Sequence, residues 1–503
     1  MNSLTACEAA PGTAPQEDTL PGHYEVVVIG AGLSGVCAAI KLAQAGINNV
    51  RVFEKASDVG GTWRDNRYPG VACDVPSHLY SYSFAPNPDW SRWYAPGPEI
   101  WDYVRKCAVD FGVYDQITFD TTISSAVWQV DRWVLHDSSG ETLTSKSVIS
   151  ALGGLHTPNV PQFPGQDDFE GIRFHTSNWP ADLDLSGKRV AVVGTGATAV
   201  QVVPEIADQV AELIVFQRSP VWVGAKRDPE YTEDERAEFR TNPAAMQDLR
   251  QNLWDLWERT SVELHQAGTH VNVTAESRAR QQIEQSVTDP ELAKALTPNH
   301  NFACKRPTIS DRYYPTFDKA NVTLVTGAVD SLTPSGVVSG SEHHQVDVVI
   351  LATGFKAFNV TNEIEIAGVD GVSLAQVWQD QVTSYKSVMV HNFPNLFFMM
   401  GPNGTGLQSA LQCIEPQADY AVRVVHQMAR DGIASLHPKQ EFVDAFTRNV
   451  RDRFKDTTHS KGCTSWWTDQ TGFNHSIWPG SSTEYRELLA EVILGEFDVT
   501  ESD

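Results

Sequence analysis

Two segments of this sequence repeat one pattern, in which an apolar strand runs into a glycine-rich turn and then a helix. Residues 24–56 read YEVVVIGAGLSGVCAAIKLAQAGINNVRVFEKA, and residues 189–220 read RVAVVGTGATAVQVVPEIADQVAELIVFQRSP. Each segment closes with a second apolar strand, which is the βαβ order in which a G-x-G-x-x-G/A motif binds a dinucleotide. We therefore predict two Rossmann-like dinucleotide-binding units in one chain.

The motif positions have separate physical tasks. The first glycine permits a tight turn, the second lets the backbone approach a pyrophosphate, and the third small residue allows close packing of helix on strand. The helix that follows presents its amide groups and a partial positive charge to the phosphates. The predicted cofactor-binding positions in the two motifs are, in chain order, Gly30, Gly32, Gly35, Gly194, Gly196 and Ala199.

The two units differ at the end of the second strand. Glu54 follows Gly30 by 24 residues, and Arg218 follows Gly194 by the same 24 residues. A carboxylate accepts hydrogen bonds from ribose hydroxyls and repels a 2′-phosphate, whereas an arginine attracts that phosphate and binds it through two N–H groups. The first unit is therefore expected to bind FAD or NAD, and the second is expected to bind NADPH.

The segment after the first unit favours FAD. Residues 57–74 read SDVGGTWRDNRYPGVACD. Within them, Gly61, Thr62 and Trp63 stand where a chain can wrap a diphosphate and approach a flavin ring. Near the other end of the chain, DVVILATGF (347–355) reads as a strand and glycine turn that would complete the first sheet. The NADPH unit is therefore expected to be inserted within the FAD domain.

The predicted fold is α/β, with two Rossmann-like domains for FAD and NADPH and a helical insert. A chain of 503 residues is long enough for several domains. The insert is charged, and its Trp254 and Trp257 are expected to pack in a core because they lie three residues apart on one helix. The predicted bounds are 1–22 for a disordered tail, 23–155 and 345–503 for the FAD domain, 166–225 and 301–344 for the NADPH domain, and 226–300 for the insert.

Composition excludes several classes of function. A formal net charge of −25 offers no basic surface for nucleic acid. No apolar run approaches the roughly 18 residues of a membrane-spanning helix, so no membrane partner is expected. Seven cysteines are scattered without a CxxC pair, which fits reduced thiols and a cytoplasmic location. His343 and His344 lack further ligands at metal-binding spacing, so no metal is expected.

Two further motifs resemble those of a known family. FEGIRFHTSNWP (169–180) matches F-x-G-x-x-x-H-x-x-x-W-P, and residues 60–74 match [A/G]-G-x-W-x-x-x-x-[F/Y]-P-[G/M]-x-x-x-D. Both patterns are typical of the type I Baeyer–Villiger monooxygenases, and the resemblance extends over most of the chain. Related flavin monooxygenases that oxidise nitrogen or sulfur typically carry Tyr or Phe where this chain has Trp179 and Pro180. The Baeyer–Villiger branch is therefore favoured.

The resemblance implies an activity and its cofactors. In this family NADPH reduces FAD, dioxygen adds to the reduced flavin, and the resulting peroxyflavin converts a ketone to an ester or lactone. The expected cofactors are therefore FAD and NADPH, and the expected partners are a small-molecule ketone and dioxygen. Two alternatives remain open. One is a flavin monooxygenase that oxidises sulfur or nitrogen, and the other is a redox sensor that binds NADPH without oxygenating a substrate.

The resemblance also implies roles for individual residues. Arg306 and Asp74 are the candidate catalytic residues, and Asp74 is the carboxylate beside Arg306 and beside the flavin. A paired carboxylate would hold a buried guanidinium in position and offset its desolvation. Lys305 is expected to join Arg218 on the 2′-phosphate, and Trp466 is expected to close over cofactor and substrate. An ordinary structural ion pair is the alternative for Lys305 and Arg306.

His175 lies inside the first of the two family motifs. A lone histidine is more often structural than catalytic, and this segment is expected to link two domains that move during turnover. We therefore predict that His175 serves in packing. The interrupted pattern of residues 169–180 predicts no strand.

Overall fold

The computed structural model describes residues 22–357, 363–460, 465, 467–468 and 472–502. The predicted tail up to residue 21 and Trp466 therefore lie outside the described residues. The strands, numbered in chain order, are β1 (His23–Ile29), β2 (Val50–Phe53), β3 (Ile117–Thr118), β4 (Ile123–Gln129), β5 (Arg132–Asp137), β6 (Thr142–Ser150), β7 (Ile172–His175), β8 (Arg189–Val193), β9 (Glu212–Phe216), β10 (Val223–Gly224), β11 (Thr308–Ile309), β12 (Val322–Val325), β13 (Ser331–Thr333), β14 (Gly336–Ser339), β15 (Glu342–Gln345), β16 (Val348–Leu351), β17 (Glu365–Ala367), β18 (Leu396–Phe398), β19 (Ile433–Pro438) and β20 (Phe497–Glu501). The α-helices are α1 (Leu33–Gln44), α2 (Thr62–Asp65), α3 (Gly97–Asp110), α4 (Ala197–Ile206), α5 (Glu233–Thr241), α6 (Pro243–Leu264), α7 (His270–Ser286), α8 (Pro290–Leu296), α9 (Tyr313–Thr316), α10 (Leu374–Val377), α11 (Leu411–Asp431), α12 (Gln440–Phe454) and α13 (Ser482–Leu488).

The first sheet is built around the strand of the first glycine motif. β1 lies between β2 and β6 and is parallel to both, with Val28 opposite Val52 and Ile149. The order is β17-β4-β5-β6-β1-β2-β3, and β18 pairs in parallel with the end of β6. The VVVI run of β1 is buried, as expected for a central strand covered on both faces. This sheet forms the first predicted Rossmann-like unit.

The second sheet contains the second glycine motif and is parallel throughout. Its order is β12-β9-β8-β16-β7. Because β16 pairs here with β8 and β7, the prediction that residues 347–355 complete the first sheet is wrong, and a boundary at residue 345 assigns this strand to the wrong unit. A short VVIL run suits the buried centre of either sheet, so its apolar pattern does not identify its partners. β18 supplies the late strand of the first sheet instead.

Four helices, α5 to α8, form the predicted helical insert. Thr232, Thr269 and Asp289 each accept a hydrogen bond from a backbone N–H in the first turn of α5, α7 and α8, respectively. Such caps satisfy amide groups that have no partner inside the helix, and they define where each helix begins. Trp254 and Trp257 of α6 are partly buried against the main core, as predicted.

The long C-terminal helix α11 belongs to the first unit. Val36 and Ile40 of α1 share one buried core with Ala421 and Val424 of α11. α11 ends at Gly432, whose φ of +64° is the left-handed conformation that ends many helices. The first sheet is therefore covered by helices from both ends of the sequence.

The cysteines differ in state. Cys37, Cys73, Cys107 and Cys413 are buried free thiols, whereas Cys304 is disulfide-bonded. The expectation of reduced thiols is thus wrong for Cys304, because spacing along a sequence does not reveal which cysteines meet in space. In the described part of the chain, no helix has both the length and the apolar character needed to cross a membrane.

Candidate active site

The first glycine loop lies against two other backbone segments. Gly30 has a φ of +102°, and a Cβ there would lie 2.6 Å from the carbonyl oxygen of Ala151. A Cβ on Gly35 would lie 1.8 Å from the Gly30 carbonyl oxygen, so this loop admits no side chain at either position. Gly32 precedes α1 without a side-chain cap. A Cβ on Gly61 would lie 3.1 Å from the Cα of Gly32. The start of α1 is therefore a cradle of bare backbone, which suits a diphosphate.

Glu54 is buried at the end of β2, beside this cradle. Its Oε2 accepts a hydrogen bond from the Ala31 N–H at 2.7 Å, and its Oε1 lies 3.2 Å from Nη1 of the buried Arg64. Thr62, the first residue of α2, is exposed next to Gly61. A carboxylate offers about four acceptor sites, so Glu54 can hold the loop in shape and still accept ribose hydroxyls. Arg64 could not be predicted from the sequence, because it occupies no fixed position of a motif.

The second glycine loop repeats this geometry with more open space. Gly194 has a φ of +114°, and a Cβ there would lie 2.4 Å from the Ala352 carbonyl oxygen. Gly196 precedes α4, again without a side-chain cap, and nothing lies within 4 Å of the position of its missing Cβ. Ala199 is fully buried under α4. The loop therefore leaves the first turn of α4 accessible to an anionic ligand.

Two cations lie together at the end of the second unit. Arg218 is exposed, and Lys305 Nζ donates a hydrogen bond to Ser219 Oγ at 2.9 Å. Burial lowers the pKa of Lys305, and the positive charge of Arg218 lowers it further. The charge that acts most on Lys305 is therefore another cation. Two cations beside a hydroxyl group suit a phosphate, which can accept from all three.

Arg306 and Asp74 form a two-point ion pair. Nε and Nη2 of Arg306 donate to the two Asp74 oxygens at 2.9 and 2.7 Å. The two side chains keep 37% and 26% of their exposure, so the pair borders open space. The negative charge of Asp74 raises the pKa of Arg306 and outweighs the opposite effect of burial. The guanidinium is therefore charged and fixed in orientation.

Three parts of the fold meet at this ion pair. Arg306 lies on the segment that leaves the helical insert and enters β11, which pairs with β10. Asp74 follows a loop held by α4 of the second unit, since Gln201 accepts from the Tyr68 hydroxyl and donates to the Ala72 carbonyl, both at 2.9 Å. The pair thus joins the first unit, the second unit and the insert.

An aromatic wall stands next to the ion pair. Trp63 Nε1 donates to the Tyr80 hydroxyl at 3.2 Å, and the rings meet edge to face with centroids 5.6 Å apart. Burial raises the pKa of Tyr80, and the charges of Asp74 and Arg306 both act on its hydroxyl. Tyr80 is a site residue that the sequence did not predict, because it lies outside every recognisable motif.

His175 makes structural contacts. Its Nδ1 lies 2.9 Å from Ser177 Oγ, its Nε2 lies 2.9 Å from the Gly354 carbonyl oxygen, and its ring meets Phe355 edge to face. It ends β7, so this part of the motif is a short edge strand after all. Gly171 allows that strand to approach, since a Cβ there would lie 2.4 Å from the Asp347 carbonyl oxygen. His175 therefore joins the end of β7 to the segment that follows β16, in agreement with a packing role.

Relatives of this chain match it over nearly its whole length. The model of the flavin-binding monooxygenase-like family matches residues 23–470. A Baeyer–Villiger monooxygenase from Streptomyces coelicolor is 38% identical over 486 residues, which cover 95% of this chain and 93% of the relative. A Baeyer–Villiger monooxygenase from Pseudomonas aeruginosa is 37% identical over 484 residues, which cover 95% and 92%. These relatives confirm the resemblance found in the motifs.

Solved structures agree with the predicted fold class. The closed crystal structure of cyclohexanone monooxygenase has a TM-score of 0.85 and 30% identity, covering 95% of this chain and 99% of that one. Oxidised steroid monooxygenase bound to NADP has a TM-score of 0.85 and 31% identity, covering 96% and 100%. The α/β fold with two Rossmann-like units is thereby confirmed. This chain belongs to the flavin-binding monooxygenase-like family.

Proposed function

We propose that the protein is a Baeyer–Villiger monooxygenase that uses FAD, NADPH and dioxygen to convert a small ketone to an ester or lactone. Full-length similarity to Baeyer–Villiger monooxygenases supports this activity over sulfur or nitrogen oxidation. The observation that carries the proposal is the Arg306–Asp74 ion pair, which borders open space where the two dinucleotide units meet. A cytoplasmic location and the lack of a nucleic-acid partner remain predictions from composition.

FAD is assigned to the first unit. The cradle formed by Gly30, Gly32 and Gly61 has room for a diphosphate, and Glu54 stands beside it, where its carboxylate would repel a 2′-phosphate. Trp63 extends from the same segment toward Tyr80 and the ion pair. Reduced FAD, when bound here, supplies the electrons that activate dioxygen for transfer to the substrate.

NADPH is assigned to the second unit. Gly194, Gly196 and the first turn of α4 suit its diphosphate, and Arg218 with Lys305 suits its 2′-phosphate. Because Lys305 and Arg306 are adjacent, one short segment carries both the residue proposed to bind the coenzyme and the residue proposed to face the reaction.

Arg306 is assigned the electrostatic task. Attack on a ketone carbonyl places negative charge on the substrate oxygen, and a fixed cation stabilises that charge best where little water can reorganise. Asp74 holds the guanidinium by two hydrogen bonds and leaves its remaining N–H groups available to the substrate. Asp74 is therefore a positioning residue, and Arg306 is the residue expected to contact the reacting oxygen.

Product analysis of the purified protein tests the activity. The protein should be yellow, should oxidise NADPH and should convert members of a ketone panel to esters or lactones, identified by gas chromatography. Sulfoxides as the only products from a mixed panel of ketones and sulfides would contradict the proposal. So would a colourless protein that cannot be loaded with FAD.

Replacement of Arg306 tests the site. Arg306→Ala should lower ester formation by roughly 100- to 1000-fold, the range seen when one electrostatic stabiliser is removed, while flavin reduction by NADPH continues. Arg312→Ala is the matched control, because Arg312 lies on the same segment but is largely exposed and pairs with Glu205. It should keep ester formation within a fewfold of the parent. Equal ester yields from the Arg306 and Arg312 variants would remove Arg306 from the mechanism.

A further inference from the structure

The turn at residues 76–81, between α2 and α3, carries Tyr80 beside the ion pair. The backbone N–H of Tyr80 donates to the Pro76 carbonyl oxygen at 2.9 Å, which closes the turn. The Tyr80 hydroxyl accepts from Trp63 Nε1, and it interacts electrostatically with Arg306. A phenol that accepts one hydrogen bond still has a proton to donate. The position of this turn therefore decides where a polar group of the site lies.

Arg250 of α6 holds the backbone of this turn from the side of the helical insert. Its Nη1 donates to the carbonyl oxygens of His78 at 2.6 Å and Ser81 at 3.0 Å, and it lies 3.3 Å from Ser81 Oγ. The two carbonyl groups belong to residues on either side of Leu79 and Tyr80. One guanidinium nitrogen therefore fixes the backbone both before and after the site tyrosine.

All three acceptors of Arg250 are neutral oxygen atoms, although its guanidinium is charged. Burial lowers the pKa of Arg250, but an arginine remains protonated in proteins near neutral pH. Charged donors make stronger hydrogen bonds than neutral ones, and leaving a buried carbonyl without its donor destabilises a protein. The guanidinium therefore holds the turn more firmly than an apolar contact of the same size would.

The insert also contacts the side chain of this turn at His78. The His78 ring meets the rings of Tyr231 and Phe239 edge to face, with centroids 5.3 and 4.8 Å apart. Phe239 lies on α5 and Arg250 lies on α6. Two helices of the insert therefore hold one turn of the first unit, one through a ring and the other through the backbone.

We propose that Arg250 is a positioning residue of the active site, which fixes Tyr80 and, through it, Trp63 next to the Arg306–Asp74 pair. This inference rests on the proposed function and adds a residue of the helical insert to it. Arg250 acts through the backbone on either side of Tyr80. A displacement of about 1 Å can lower a rate by about 100-fold, even when the substituted residue lies far from the reacting atoms.

A double-mutant cycle tests the inference. Arg250→Met keeps most of the side-chain length without the guanidinium, and Tyr80→Phe removes only the hydroxyl group. Each variant should lower kcat/KM for ester formation by about 10-fold or more. Neither should change the KM for NADPH, because Arg218 and Lys305 lie on other segments. If Arg250 acts through Tyr80, the loss in the double variant should stay well below the product of the two single losses.

A conservative variant and a spectrum separate positioning from folding. Arg250→Lys keeps a charged donor and should recover part of the lost kcat/KM. Arg259→Met is the matched control, because Arg259 is exposed on the same helix α6, and it should stay within about twofold of the parent. The visible circular dichroism of the bound flavin, recorded without NADPH or substrate, should change in Arg250→Met but not in Arg259→Met.

The outcomes are distinct. Single losses that multiply in the double variant, a parental kcat/KM in Arg250→Met, or an unchanged flavin spectrum in that variant would each overturn the inference. Failure of the proposed function looks different, since the parent protein would form no ester although NADPH reduces its flavin. The flavin spectra would then decide by themselves whether Arg250 positions the site. If Arg250→Met does not fold, Arg250→Lys takes its place in the cycle and in the spectra.

Discussion

Individual residues in the site use charge in two ways. Arg306 has a carboxylate partner, so it can remain fixed beside the reaction without a ligand. Lys305 has a cation as its strongest charged neighbour, so its cluster with Arg218 is completed only by an anion. Of these two adjacent residues, Lys305 thus has a charge available to bind the coenzyme, and Arg306 has a charge positioned to act in the reaction.

Coenzyme selectivity follows from the exposed Arg218. Arg218→Ala should raise the KM for NADPH by about 10- to 100-fold and leave the KM for NADH nearly unchanged, because hydrogen bonds to charged groups contribute roughly 1.5–3 kcal/mol. Steady-state kinetics with both coenzymes measure the change. Arg259→Ala removes an exposed arginine of the insert and should change neither KM. A parallel loss with NADH would mean that Arg218 does not bind the 2′-phosphate.

A residue at a fixed distance from a motif can be assigned a role from the sequence. Glu54 and Arg218 could be compared because each follows its glycine loop by the same number of residues. Arg64 and Tyr80 could not be found in this way, since they reach the site through burial and through contacts made by the loop. Three-dimensional contacts of that kind leave no periodic signal in the chain.

The types of the main secondary-structure elements could be predicted from the sequence, but the strands with which they pair were less predictable. Both βαβ units and the helical insert follow from apolar pattern and glycine position. The sequence does not identify the sheet to which β16 belongs, because a run that is buried on both faces fits any central parallel position. β7 was missed because four residues, flanked by glycine and a 3₁₀ turn, are too short to show alternation.

Glu258 links the insert to the C-terminal region. Its carboxylate accepts from the backbone N–H of Thr483 at 2.7 Å, at the start of α13, and from Gln408 Nε2 at 2.9 Å. Glu258→Ala should lower the free energy of unfolding by about 1–2 kcal/mol, because it removes both a helix cap and a partner of Gln408. Urea unfolding measures the change. Glu263→Ala, at an exposed position near the end of α6, should stay within about 0.5 kcal/mol of the parent, and a similar loss in both variants would contradict the linking role.

The molecule as a whole is strongly acidic, yet the proposed coenzyme site is cationic. With a net charge of −25, the long-range field repels anions such as NADPH. The attraction of Arg218 and Lys305 for the coenzyme must exceed this repulsion. Salt screens the repulsion from distant acidic groups more than it screens the attraction of the two cations that contact the ligand. Moderate salt should therefore weaken NADPH binding less than a simple count of two cations suggests.

Stability of the whole molecule should fall as the solution becomes acidic. Burial lowers the pKa of His78 and His265 to about 4 and that of His459 to about 3, whereas an unfolded histidine titrates near pH 6.5. Between about pH 6.5 and pH 4 the unfolded chain binds protons that the folded chain does not, so the free energy of unfolding decreases by up to about 1.4 kcal/mol per pH unit for each group. Urea unfolding of the wild type and His78→Phe near pH 7.5 and near pH 5.5 measures the effect. The variant lacks one of these groups and should lose about 1 kcal/mol less than the wild type over that interval; equal losses would mean that His78 is protonated in the folded protein.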